Sequence, residues 1–298
     1  MKRILNKLIA VLLIATLAVG LTACKEIENG SEIHRVKITL NLYDADGNSQ
    51  TCDVYAKLYV NYAPDTVTHI EKLINDGYYN GVCISGTGSA YAQFGDATLA
   101  DDGKLSFKDQ GATVKGEFEK NGHVGNPLSC TSGALVLKHD AEGANRYDSG
   151  KATIAVAFSS SSFDKSSYCI FGKLVDDDGD TSADEDSLAY KSSLEKMRTL
   201  IDLAKDDDGT YIYYCDEYTA EDGKTYFGGE YYTYAKNGND DDAEYHYYKG
   251  FGNSAISDAN EISGDDLDEF TTKKNAKNSV IRAIPAKSVV ISKIVIVK

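Results

Sequence analysis

The sequence has no tryptophan, and only three prolines and five histidines among its 298 residues. Basic side chains are also short: 31 Lys and Arg stand against 46 Asp and Glu, a formal charge of −15. A phosphate backbone needs a basic face, so this balance argues against nucleic acid as a partner. No CxxC motif and no Cys/His pair at metal-ligand spacing occurs, which argues against a zinc site; no metal and no cofactor are expected. There is no Gly-x-Ser-x-Gly elbow, and Gly86-Thr87-Gly88-Ser89 lacks the Lys and the following helix of a phosphate loop. What remains is ordinary globular usage, 42% apolar and 26% charged, in a chain long enough for a sizeable core and one or two domains.

The first segment reads as an address. Lys2, Arg3 and Lys7 form a basic head, Leu8 to Val19 is apolar, and Leu21-Thr22-Ala23-Cys24 follows. The apolar stretch is short for a membrane span, and the pattern is that of a secretory signal. The residues before Cys24 resemble a bacterial lipobox, which implies a signal peptide over 1–23 and lipid on Cys24; an uncleaved anchor or plain signal is the alternative. Lipidation would tether the chain to the outer face of a bacterial membrane. Cutting there removes three basic and no acidic residues, leaving a formal charge of −18. Residues 24–32 read as a polar tether. Five cysteines then remain, Cys52, Cys83, Cys130, Cys169 and Cys215. An odd number leaves at least one thiol free unless chains pair, and several sit in apolar strand patterns that suit buried thiols.

Residues 33–42 alternate apolar and polar with period two, a half-buried strand. Cys52 to Val60 reads as its return after the Asp44–Asn48 turn, whose oxygens suit a hairpin more than calcium. Pro64 to Asp76 is a helix, with Pro64 in the first turn, an apolar stripe of Val67, Ile70 and Ile74, and Gly77 beyond its end. Strands are expected near 81–85, 90–95, 133–138, 152–158 and 168–175. A second helix spans about 186–205, with Tyr190, Leu194, Met197, Ile201 and Ala204 on one face. Ser288 to Val297 is the last strand. Residues 206–270 differ: 18 acidic side chains face three Lys, and 11 of the 21 tyrosines fall there. This acidic, Tyr-rich insertion reads as a β-meander or a partly ordered loop. Asp176, Asp178 and Asp180 have the alternation of a calcium loop without its glycine or closing Glu; a solvated acidic surface is the simpler reading.

The residues around the first helix resemble the bacterial cyclophilins. Ala63-Pro64-x-Thr66-Val67, Ile70, Leu73, Gly77 and Tyr79-Asn80-Gly81 are similar to that family's opening signature. Gln93-Phe94-Gly95-Asp96, Gly133-Ala134-Leu135, Phe171-Gly172-Lys173 and Ser288-Val289-Val290-Ile291 are similar to later motifs in the same order. The likeness covers about 33–205 and 285–298. It implies a mainly β fold, a closed eight-stranded antiparallel barrel capped by two helices, occupying 33–298 and interrupted by the 206–270 insertion before the last strand; another closed β-barrel with two helices is the alternative.

The resemblance further implies a peptidyl-prolyl cis-trans isomerase acting on proline-containing segments of exported proteins. Such enzymes use an arginine beside the prolyl nitrogen, an aromatic pocket and a backbone-gripping Gln. Here the arginine's place falls on Ser85 or Gly86, and no Arg occurs between Arg35 and Arg146. The pocket's Phe and Met fall on Ala90 and Tyr91. Gln93 is retained, Ala152-Thr153-Ile154-Ala155 replaces an aromatic wall, and Tyr168 stands where the family has His or Tyr. Tyr91, Gln93, Ile154, Tyr168 and Arg146 are therefore the groove candidates, Arg146 as a cation entering from a neighbouring loop. The histidines, His34, His69, His123, His139 and His246, are scattered. The sequence thus leaves three readings: a weak or inactive isomerase, a non-catalytic peptide-binding surface lipoprotein, and an interaction protein working through the Tyr-rich insertion.

Overall fold

The alternation of β2 (Ser31–Tyr43) and β3 (Ser49–Tyr59) turns Val36, Ile38, Leu40 and Leu42 inward against Val54, Ala56 and Leu58, all buried. In the computed structural model, which describes residues 26–43, 49–141, 143–176, 192–204, 211–219, 223–238, 244–275 and 281–297, this pair seeds a closed sheet. The other strands are β1 (Glu26–Glu28), β4 (Val82–Thr87), β5 (Tyr91–Leu99), β6 (Leu105–Phe107), β7 (Ala134–Leu137), β8 (Ile154–Ala157) and β9 (Cys169–Val175). After them come β10 (Tyr211–Cys215), β11 (Tyr218–Thr219), β12 (Thr225–Tyr226), β13 (Glu230–Asn237), β14 (Glu244–Lys249), β15 (Ile281–Pro285) and β16 (Ser288–Val297).

Following the pairing β4, β16, β2, β3, β9, β7, β8, β5 and back to β4 closes an eight-stranded, wholly antiparallel barrel. Its interior is lined by Leu40, Val54, Phe94, Ile154, Phe171 and Ile291. Closure at β4–β5 is irregular: the register shifts twice, and Gly95 (φ 110°) passes so close to β8 that a Cβ there would lie 2.2 Å from the Ala152 carbonyl oxygen. Only glycine fits.

Two helices add to the barrel core. α1 (Pro64–Asn75) buries Val67, Ile70 and Ile74. Ala63 offers it no side-chain cap; instead the buried Glu117 carboxylate accepts the Asp65 and Thr66 amides at 3.0 and 2.8 Å. A carboxylate here meets orphan N–H groups and the positive end of the helix dipole together. α2 (Ser193–Leu203) starts later than the periodicity suggests. A capping box between Ser192 and Glu195 fixes its first turn. Met197, Leu200 and Ile201 are buried, whereas Tyr190 lies outside the described residues. A third helix, α3 (Gly264–Asn275), was not expected from the pattern. Its only buried side chain is Phe270, too little apolar periodicity to read.

The described part of the insertion is an antiparallel sheet, β14-β13-β10-β15, extending from the barrel through the pair Ala283 and Thr87. It therefore runs past residue 270, through α3 and β15, almost to β16. Its tyrosines form cores on both faces. Tyr213 and Tyr232 pack with Phe270 on one side, and Tyr214 packs with Ile212, Ile284 and Leu105 on the other. Cys24, the Asp44–Asn48 turn, Asp178 and Asp180 lie outside the described residues. The five remaining cysteines are free and buried. Burial pushes the Cys83 and Cys169 thiols up to about 12, far from a thiolate at neutral pH.

Replacing Glu117 with Ala should lower stability by about 1–3 kcal/mol, because the buried Thr66 amide and the more exposed Asp65 amide lose their acceptor; equilibrium denaturation reads the loss. A second prediction concerns His34, whose ring nitrogens contact Glu71 (2.5 Å) and Glu32 (3.1 Å), linking β2 to α1. Burial opposes its protonation, but the two carboxylates outweigh that and raise its pKa. The contribution is then complete below the ordinary imidazole value of about 6.5 and is lost as pH rises through the raised folded-state value. His246, raised by Glu261, and His69, lowered by burial, titrate nearby. The difference between wild type and His34→Gln in denaturant midpoint against pH isolates the effect: it should be largest on the acid side and shrink as pH rises.

Candidate functional site

Along β5, Ala92 and Phe94 point into the barrel, so Tyr91 and Gln93 face outward. Gln93 is paired with Gly86 on β4 and with Ala155 on β8. This settles what the neighbouring positions can do. Ala155 is the outward residue of β8 beside Gln93, whereas Ile154 is 3% exposed and packs inside the barrel. Ile154 is thus corrected from groove candidate to core: strand alternation sends adjacent residues to opposite faces.

Ser85 is fully buried and donates its hydroxyl to Asp96 Oδ1. Gln93 Nε2 lies 3.4 Å from Asp96 Oδ2. Neither Ser85 nor Gly86 supplies a guanidinium, but Arg282 of β15 brings one to this wall. Its Nη1 donates to Asp96 Oδ2 at 2.5 Å, and its Nε and Nη2 form a fork on Asp216 at 2.8 and 2.6 Å. Its Cδ would lie 3.5 Å from a Cβ at Gly86, and Gln93 Cγ 3.0 Å from the same point, so the bare glycine lets both side chains pack there. Phe107 and Tyr214 flank the guanidinium, with ring centroids 5.2 and 5.8 Å from Cζ. Burial works against the charge, but Asp216 and Asp96 more than offset it and push the pKa above the ordinary arginine value. Among the described residues, one N–H on each terminal nitrogen has no protein partner.

The other candidates gather on the same outer side of β5, β8 and β7. Tyr91 meets Phe163 (5.1 Å between centroids), Phe163 meets Tyr168 (5.1 Å), and Tyr168 stacks on His139 (4.5 Å). Tyr147 and Arg146 continue the row, with Arg146 over the Tyr147 ring at 4.8 Å and bonded to its hydroxyl. Beneath this row Ala134, Val136, Ala155 and Ala157 form a floor of small side chains. A separate cavity of about 240 Å³ lies at the seam with the insertion, lined by Ile84, Leu105, Phe251, Ile284 and Val289; no groove candidate lines it. Among the described residues no group of three or more His, Cys, Asp or Glu is placed to hold a metal ion.

Arg282 is not legible from the residues around Gln93, because 186 residues separate it from Asp96. One signal was available: Arg282 is the only arginine after Arg198, and it sits in the apolar run Ile281-Arg282-Ala283-Ile284.

Solved structures similar to this chain include two cyclophilin-type enzymes. One is a cyclophilin-type peptidyl-prolyl cis-trans isomerase from Cryptosporidium parvum, with 14% identity, coverage of 89% of this chain and 98% of that one, and a TM-score of 0.40. The other is a cyclophilin-type isomerase of the same organism in the presence of the dipeptide Ala-Pro, with 19% identity, coverage of 57% and 88%, and a TM-score of 0.35. No family model matches the chain, and no curated protein matches it.

Removing the Arg282 side chain leaves Asp96 buried with only Ser85 and Gln93. Arg282→Ala should therefore cost about 3 kcal/mol, the low end for a broken buried pair because Asp216 is partly exposed. Arg282→Lys should recover less than half, since an ammonium cannot reproduce the fork on Asp216. Denaturant unfolding of the two variants checks both values.

Proposed function

We propose that the barrel is a cyclophilin-type prolyl-peptide module that holds proline-containing segments of exported proteins on the face beside Gln93 and isomerises them slowly. The observation that carries this reading is the Arg282 guanidinium standing against Gln93 and Asp96, on the same outer face as the Tyr91–Tyr168 row. Rotation about an X–Pro bond must break amide resonance, a barrier of about 18–20 kcal/mol. In the twisted state the nitrogen regains its lone pair, and a donor aimed there stabilises that state more than the planar one. The open N–H groups of Arg282 are of the right chemistry. Two carboxylates already hold this cation, so the local charge is net negative and its donor strength is reduced. Turnover should lie at least ~100-fold below that of an enzyme with a free arginine, the usual scale for losing one such donor. The apolar leader and Cys24 support a place outside the cytoplasm, lipid-anchored to a bacterial membrane. A second reading, peptide holding without turnover, is favoured by the same two carboxylates.

A proline-peptide isomerisation assay on the folded protein tests this. Asp216→Asn removes the anion and one of the two acceptor oxygens, freeing one of the three bonded guanidinium N–H groups, and should raise turnover several-fold, while Arg282→Ala, scaled to its folded fraction, should abolish it. Unchanged turnover in Arg282→Ala would remove Arg282 from the chemistry. Measurable peptide binding without turnover in any variant would favour the holding role.

A further inference from the structure

The aromatic row beside Gln93 carries a charge pattern at odds with the rest of the molecule. The chain is strongly acidic, yet two cations sit on this row with no carboxylate within ion-pair distance among the described residues. Lys138 Nζ lies 4.8 Å from the Tyr91 ring and 5.8 Å from Phe163, and its one polar side-chain contact is the Tyr91 hydroxyl at 3.5 Å. Arg146 lies over Tyr147 and spends its terminal nitrogens on the Ala141 carbonyl and the Tyr147 hydroxyl. Two carboxylates of the same region are used elsewhere, Asp148 accepting from Asn121 and Asp164 from Lys120, Ser166 and Ser167, while Asp140 is exposed and makes no ion pair with either cation among the described residues. His139, between the two cations, points both ring nitrogens at the carbonyls of Asp140 and Ser167. Tyr91, Lys138, His139, Arg146, Tyr147 and Tyr168 are all half-buried, so a chain laid across the row reaches every one of them.

We propose that this row is a subsite for an acidic residue next to the proline of the bound segment, so that the module selects acidic proline peptides. The assignment rests on the reading that the face beside Gln93 takes proline peptides. A cation on a ring face has already exchanged part of its water for the π-surface, so an arriving carboxylate displaces less solvent than at a free lysine. Arg146 adds a planar donor suited to a carboxylate. The rings between them offer flat, amphipathic area to the peptide backbone. The global charge of the chain repels the same ligand, so the preference is a local one. It is to be read at about 0.15 M salt, where charges beyond about 8 Å are screened.

The test compares end-blocked peptides that differ only in Glu or Gln at the residue before, or the residue after, a single proline, with binding followed by calorimetry on the full chain. At least one Glu peptide should bind about tenfold tighter than its Gln partner, the sum of two half-exposed charge pairs. Lys138→Met and Arg146→Met should each bring that peptide down toward the Gln level. The peptide pairs decide the matter even where a variant folds poorly. Equal, measurable affinity for Glu and Gln peptides would overturn acidic selection while leaving the proline-binding reading intact. Failure of every peptide to bind would overturn both.

Discussion

The closure of the sheet through β4 is the constraint on which the rest depends. This six-residue strand pairs with β16 through Val82 and Cys83, with β5 along its length, and with β15 at Thr87. The barrel is sealed there, the insertion leaves from there, and the outward residues Ser85 and Gly86 form one wall of the candidate groove. Sealing a twisted sheet demands irregular backbone somewhere. Here the shifted register and the close approach of Gly95 to β8 supply it, and they turn Asp96 outward beside Ser85. The acid that receives Arg282 is thus a product of the same distortion that closes the barrel.

Arg282 explains why the insertion is more than an appendage. Burying Asp96 and most of Arg282 is costly, with a penalty of several kcal/mol for a buried ion, and the partly exposed Asp216 adds less. The cluster persists because each carboxylate receives more than one donor and the guanidinium's planar fork meets Asp216 without distortion. Leu105 adds a second tie, its amide donating to the Tyr231 hydroxyl at 3.0 Å. The insertion sheet is therefore tied to β5 through Asp96 and to β6 through Leu105, beside an apolar seam of Cys83, Ala97, Leu105, Tyr214 and Ile284. A wall assembled from two distant parts of the chain changes with either part.

Much of this was legible in residue order, and the reasons for the failures are physical. Period-two alternation located the last strand at Ser288–Val297, and the apolar stripe located α1, because in both cases one face is buried and the other is wet. α3 was illegible because a helix that buries only Phe270 has almost no stripe. Ile154 was assigned to the groove because a motif alignment carries no information about which face a residue occupies; one residue of slip reverses it. The arginine's place was left open between Ser85 and Gly86; Gly86 is the one that pairs with Gln93, and Ser85 bonds Asp96. The bond between Asp96 and Arg282 depends on how an insertion folds back, and local spacing does not encode that.

The tyrosines show the same limit in another way. Eleven of them in an acidic segment suit a recognition surface and a sheet core equally well. Strand register separates the two. Tyr213 lies opposite Tyr232, and Tyr214 opposite Tyr231, so alternate tyrosines face opposite sides and both sides become covered, one by α3 and one by the barrel. With Tyr213, Tyr214 and Tyr232 buried in this packing, the half-buried aromatic side chains near Gln93 gain weight as a contact surface. In the proposed function, a segment whose bulk is acid and tyrosine serves by delivering one arginine to the barrel wall. The bound peptide is then taken by the half-buried rings of β5, by Lys138 and His139 just after β7, and by the loops beside them.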